Sequence, residues 1–137
     1  MKIAGRCHCG NISYEFEAQN ALAARACSCT FCVKHGGVWT SDSQGVLSAR
    51  IGDRSALSVY RFGTATAEFH VCARCGAVPF VTSEIEGRVY AVVNVNTFEG
   101  LDPATLPRAP VSFDGETTEN RLARRRQRWI PDVRIAR

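Results

Sequence analysis

The 137-residue sequence contains no apolar run of 18 residues, and its longest uncharged β-rich stretch of note covers only residues 89–98. A helix that spans a bilayer needs about 20 such residues, so no membrane span is expected. The opening Met1-Lys2-Ile3-Ala4-Gly5-Arg6 lacks the apolar core of a secretory leader. Nothing repeats at a period of roughly 20–50 residues, which argues against solenoids and propellers. A large excess of one charge is also missing. Seventeen Lys and Arg against thirteen Asp and Glu leave +4, too little by itself to demand nucleic acid. With 45% hydrophobic and 22% charged residues, the chain is expected to fold as one globular domain over residues 1–137.

Cysteine is abundant. There are seven, at Cys7, Cys9, Cys27, Cys29, Cys32, Cys72 and Cys75. An odd number without a leader suits a reducing compartment, and a cytoplasmic location is expected, better than it suits a disulfide framework. The spacing is C-x-C, then C-x-C-x-x-C, then C-x-x-C, and no cysteine stands alone. Such tight turns place sulfurs about 3.5–4 Å apart, which is what Zn–S bonds of about 2.3 Å require. Seven donors divide into four plus three. The C-x-C and C-x-x-C pairs can close one four-cysteine structural site. The central C-x-C-x-x-C then offers three thiolates and an open fourth position, the pattern of a catalytic zinc. Two other readings stay open: a closed third cluster with His35 or His8 as fourth ligand, and a redox dithiol at Cys72 and Cys75. No βαβ pattern surrounds that C-x-x-C, which counts against the dithiol.

Gly5-Arg6-Cys7-His8-Cys9-Gly10 followed by Ile12-Ser13-Tyr14-Glu15-Phe16 resembles the opening of the glutathione-dependent formaldehyde-activating enzyme family. Cys27-Ser28-Cys29-Thr30-Phe31-Cys32 and Cys72-Ala73-Arg74-Cys75-Gly76 match its next two motifs in order, so that the resemblance covers residues 5–80, with a weaker continuation to Asn96. It implies a mainly β, zinc-bound fold of the β-tent kind. It also implies a structural zinc on Cys7, Cys9, Cys72 and Cys75 and a second, catalytic zinc on Cys27, Cys29 and Cys32, two per chain. The activity implied is that of a carbon–sulfur lyase joining glutathione and formaldehyde as S-hydroxymethylglutathione. Three departures stand out: Ser28 where the family often has His, Gly76-Ala77-Val78-Pro79-Phe80 where it often reads Gly-Thr-Pro or Gly-Ser with an aromatic following, and a C-terminal segment more arginine-rich than the family's usual Trp-containing end.

Elsewhere period-two alternation dominates. Ile12, Tyr14 and Phe16 share one face of a predicted strand. Residues 46–51 and 57–60 read as two strands and a turn, residues 66–71 lead into the Cys72 knuckle, and residues 78–85 and 88–95 form a hairpin around Glu86-Gly87. Gly36-Gly37 ends a short helical turn after the cysteine triplet. Asp102-Pro103, Pro107 and Pro110 predict an irregular connection. A helix is predicted over residues 116–128, capped by Thr117 or Thr118, with Leu122 and Trp129 on its packing face.

Three thiolates on a divalent zinc make a soft centre of net −1, better matched to an incoming sulfur than to water. The expected partners are therefore a small thiol such as glutathione and a small aldehyde. His35 is the first candidate for a proton carrier. His8 should point outward and His70 should serve packing. Lys34, Arg50, Arg54 and Arg61 are the cations available for substrate carboxylates. A rival reading comes from the C-terminus. Seven arginines against Asp132 put residues 121–137 at +6, and residues 1–120 at −2. That asymmetry suits a zinc-stabilised binding module contacting nucleic acid or a protein through a basic helix. Only Trp129 interleaves the arginines and no nucleic-acid motif accompanies them, so the enzyme reading is favoured and nucleic acid is not expected as a partner.

Overall fold

A computed structural model describes residues 1–136; Arg137, the last arginine of the basic segment, lies outside the described residues. One sheet contains β1 (Lys2–Arg6), β2 (Ile12–Glu17), β5 (Val46–Ile51), β10 (Phe98–Glu99) and β12 (Asp132–Ala136), in the order β10-β1-β2-β5-β12. The other contains β3 (Ala24–Cys27), β4 (Val38–Thr40), β6 (Leu57–Tyr60), β7 (Glu68–Cys72), β8 (Phe80–Ile85), β9 (Arg88–Asn94) and β11 (Arg108–Val111), in the order β11-β3-β4-β9-β8-β7-β6. Two helices, α1 (Thr30–Lys34) and α2 (Thr118–Arg128), complete a mainly β architecture with a C-terminal helix, in line with the expectation.

Alternation decides how the sheets meet. Ile12, Tyr14 and Phe16 on β2 and Leu47 and Ala49 on β5 turn inward, where they meet Phe80, Ala91 and Val93 of the second sheet. Phe16 and Phe80 are wholly buried, each worth about 2–3 kcal/mol of transfer free energy. The second sheet is covered on its other face as well. Val81, Tyr90 and Val92 pack there with Phe31, Trp39 and Trp129. Its central strand β9 is consequently buried from Tyr90 to Asn94, the pattern of a strand with two covered faces. This second face carries the candidate site.

The 80–85 and 88–94 hairpin forms as predicted, and Thr117 caps α2 by accepting from the Asn120 amide. Three features depart from expectation. The strands β5 and β6 do not pair; the turn between them carries the chain from one sheet to the other. Residues 108–111, expected to be irregular, form β11, parallel to β3. Pro110 is tolerated because β11 is an edge strand, where a missing N–H leaves no partner unsatisfied. Residues 132–136 add β12 at an edge of the first sheet, parallel to β5. Both pairings join segments more than 80 residues apart, beyond the reach of local pattern.

Candidate metal centres

β1 runs into the turn bearing Cys7 and Cys9, and β7 ends at Cys72, with Cys75 in the following turn. The two strands belong to different sheets. The four Sγ atoms nevertheless lie within 4.8 Å of one another. Cys9 Sγ stands 3.5 Å from Cys72 Sγ and 3.8 Å from Cys7 Sγ. These separations are far beyond a disulfide bond of about 2.05 Å and close to the roughly 3.8 Å between sulfurs around a tetrahedral zinc. The amide of Ile12 donates to Cys7 Sγ at 3.3 Å. Burial nonetheless pushes the metal-free Cys7 thiol up to about 12. Against the cost of its own burial, Cys75 is lowered to about 6 by the amides of Ala77 and Cys9 and the Cys72 and Cys7 thiols. The donor set fits a metal ion: four soft sulfurs at chelating distance, with amides aimed at them. His70, near in sequence, is buried with Nε2 2.9 Å from Thr82 Oγ1 and packs on Phe80.

The second cluster is local. Cys27 ends β3, Cys29 caps α1, and Cys32 sits within α1, their Sγ atoms again within 4.8 Å of one another. Each sulfur has an N–H donor: the Cys29 amide to Cys27, the Cys32 amide to Cys29 at 3.4 Å, and Trp39 Nε1 to Cys32 at 3.3 Å. A hydrogen bond from Cys32, opposed by burial and helped by the Cys29 amide and the charge of Arg121, lowers Cys27 to about 5; the donating Cys32 thiol is raised. The helix stops as predicted. Gly36, at φ +62°, lets the Gly37 amide return to the Cys32 carbonyl at 2.7 Å. A Cβ on Gly37 would lie 2.6 Å from the Trp39 indole, so glycine there keeps the indole over Cys32.

The three sulfurs border a cavity of about 360 Å³. Its lining combines the apolar side chains of Trp39, Phe62, Phe69, Val81, Val92 and Trp129 with the cationic ones of Arg25, Arg121, Arg124 and Arg125. Arg124 forms two hydrogen bonds with Glu116, at 3.0 and 3.1 Å, and lies 3.7 Å over the Phe113 ring. Arg125, only 6% exposed, donates to Thr66 Oγ1 and Ser83 Oγ. Burial, with neighbouring arginines, lowers Arg25 and Arg125 to about 10, so both stay charged at neutral pH.

This arrangement corrects several expectations. No histidine lines the cavity: His35 is exposed and stacks on Phe31 at 4.1 Å, its Nδ1 3.1 Å from the Phe31 carbonyl, and His8 points outward. Neither joins the three-cysteine cluster. Lys34, Arg50, Arg54 and Arg61 are exposed away from the cavity, and Arg61 pairs with Glu68 at 2.8 Å. The described C-terminal arginines are divided in role, and Arg128 is exposed. Arg121, Arg124 and Arg125 turn toward the cavity, Arg126 pairs with Glu86, and Arg134 pairs with Asp132. No helix is long and apolar enough to cross a membrane.

Residues 2–112 match the family model of the glutathione-dependent formaldehyde-activating enzymes, most of the chain's length. The chain belongs to this family. A crystal structure of a Rhodobacter sphaeroides protein, solved as a structural-genomics target, is 31% identical; the match covers 77% of this chain and 99% of that one, with a TM-score of 0.59. No curated protein sequence matches at a significant level. Both cysteine clusters lie inside the region shared with the formaldehyde-activating family, whereas Phe113, Arg121, Arg124, Arg125 and Trp129 lie beyond it. Two signals for the cationic wall were present in the sequence. Arg25 and Cys27 are two apart on a strand and so share a face, and Arg121, Arg124 and Arg125 follow the i, i+3, i+4 spacing of one helix face.

Proposed function

We propose that the chain is a zinc-dependent carbon–sulfur lyase that makes or cleaves a thiol–aldehyde adduct, such as S-hydroxymethylglutathione from glutathione and formaldehyde. The observation that carries this reading is the three-sulfur cluster bordering a cavity, with no fourth protein donor among the described residues. In this reading Cys7, Cys9, Cys72 and Cys75 hold a structural zinc, and Cys27, Cys29 and Cys32 hold a catalytic one. The free-thiol clusters suit a reducing compartment, and residues 1–137 act as one zinc-binding domain. Zinc bound by the three cysteines would stabilise a substrate sulfur as thiolate near neutral pH, where a free thiol titrates at about 8.5.

The chain's own groups prepare the remainder. N–H donors on each of the three sulfurs draw charge off the thiolates and hold their orientation. The apolar wall limits water around the aldehyde, which would otherwise hydrate. In the forward direction the substrate sulfur bonds to the carbonyl carbon, the C=O π pair moves to oxygen, the thiol proton leaves and the carbinol oxygen gains one. The reverse direction breaks the same C–S bond.

Carbon-13 NMR of labelled formaldehyde with glutathione tests this directly. The expected result is faster exchange between free formaldehyde and its glutathione adduct with the wild type, and the uncatalysed rate with Cys29→Ser. Equal rates with and without wild-type protein carrying two zinc ions would overturn the assignment.

A further inference from the structure

Three of the four cavity arginines come from α2, beyond the family match, and their charge is not balanced among the described residues that line the cavity. Four guanidiniums face the cavity; Asp114 on its lining and Glu116 on Arg124 oppose them. Arg121 shares Glu116 through a longer contact of 3.7 Å, and donates to the Phe113 carbonyl. The side-chain partner of Arg25 is a hydroxyl, Ser41 Oγ at 3.0 Å. Arg125 is bonded to hydroxyls alone, and its buried Nε has no hydrogen-bond partner. Even if a zinc-loaded three-cysteine cluster contributes one net negative charge, a positive charge is left over. Buried cations are costly unless countered, so a cavity that gathers them is built for an anion. Arg124 is held over Phe113 with Nε and Nη2 on Glu116, so the edge it still offers a ligand is the one bearing Nη1. A planar guanidinium fixed in this way donates readily to a further carboxylate.

We propose that Arg25, Arg121 and Arg124 form a carboxylate-binding subsite beside Cys27, so that the cavity selects thiols that carry a carboxylate and rejects the same thiol with its carboxylates masked. The inference rests on the reading that a thiol substrate enters this cavity. Arg121 and Arg124 lie in α2, beyond the family match, so two of the three subsite arginines come from the segment after residue 112, and Arg25 completes the subsite from within the family region. The inner Arg125 acts as a positioning residue, pinning α2 to Thr66 and Ser83.

Trp39 and Trp129 are the only two tryptophans, and both line the cavity, so intrinsic fluorescence reports its occupancy. The zinc-loaded full chain would be titrated with glutathione, glutathione diethyl ester and S-methylglutathione. The diester is expected to bind at least about tenfold more weakly than glutathione, as loss of a charge-assisted pair implies. Added salt should weaken glutathione and leave the diester unchanged. Arg121→Gln and Arg25→Gln should bring the two affinities together, and Arg121→Lys should restore part of the preference. Equal affinities of glutathione and its diester for the wild type would overturn the subsite, and that measurement needs no folded variant. S-methylglutathione binding as tightly as glutathione would overturn thiol coordination instead and leave the subsite standing.

Discussion

The two cysteine clusters use the same side chain in opposite ways. The four-cysteine cluster joins turns from different sheets, with Cys9 and Cys72 separated by 63 residues. A metal there closes a long loop and binds one sheet to the other, so its binding energy is folding energy. The three-cysteine cluster is written within six residues of β3 and α1, closes no long loop and borders a cavity. Metal removal there should cost function and little stability. A complete donor set joining distant segments suits structure; an incomplete set beside a cavity suits chemistry.

The largest expected effect tests that contrast. Cys72→Ser should lose one metal equivalent and at least about 3 kcal/mol of stability, measured by metal analysis and urea denaturation. Cys29→Ser should also lose one equivalent, yet change stability by less than about 1 kcal/mol, because a serine oxygen can replace the sulfur as cap of α1. Adduct exchange by this variant should fall to background. Equal destabilisation by the two substitutions would erase the distinction. Gly37→Ala sharpens it, with an expected cost of about 1–2 kcal/mol from the indole collision. Its metal loss under chelator should be confined to the three-cysteine site, because Trp39 is displaced from Cys32. The smallest effect is expected for Arg126→Ala. Its exposed pair with Glu86 should leave urea stability within about 0.5 kcal/mol and metal content unaltered.

Much of the fold was legible because its signals are local. The faces of β2, the hairpin at Glu86-Gly87 and the Thr117 cap each depend on neighbours within a few residues. The edge strands β11 and β12 were not legible, since their parallel partners lie far away and Pro110 reads locally as a breaker. His35 was a plausible proton carrier by its place three residues after Cys32. In the fold, stacking on Phe31 holds it outside the cavity.

The sequence by itself determined the grouping of the cysteines and the alternation that makes the chain mainly β. Short spacing brings donors together at little entropic cost, and a period of two selects a face wherever the strand lies. Only the tertiary structure decided which way the arginines face. Their helical stripe could have met solvent. Docking of α2 over the second sheet, with Arg125 on Thr66 and Ser83 and Trp129 buried, turns it toward the cavity instead. The contacts that orient it span 42 and 59 residues, a separation at which only the packed core specifies what meets what.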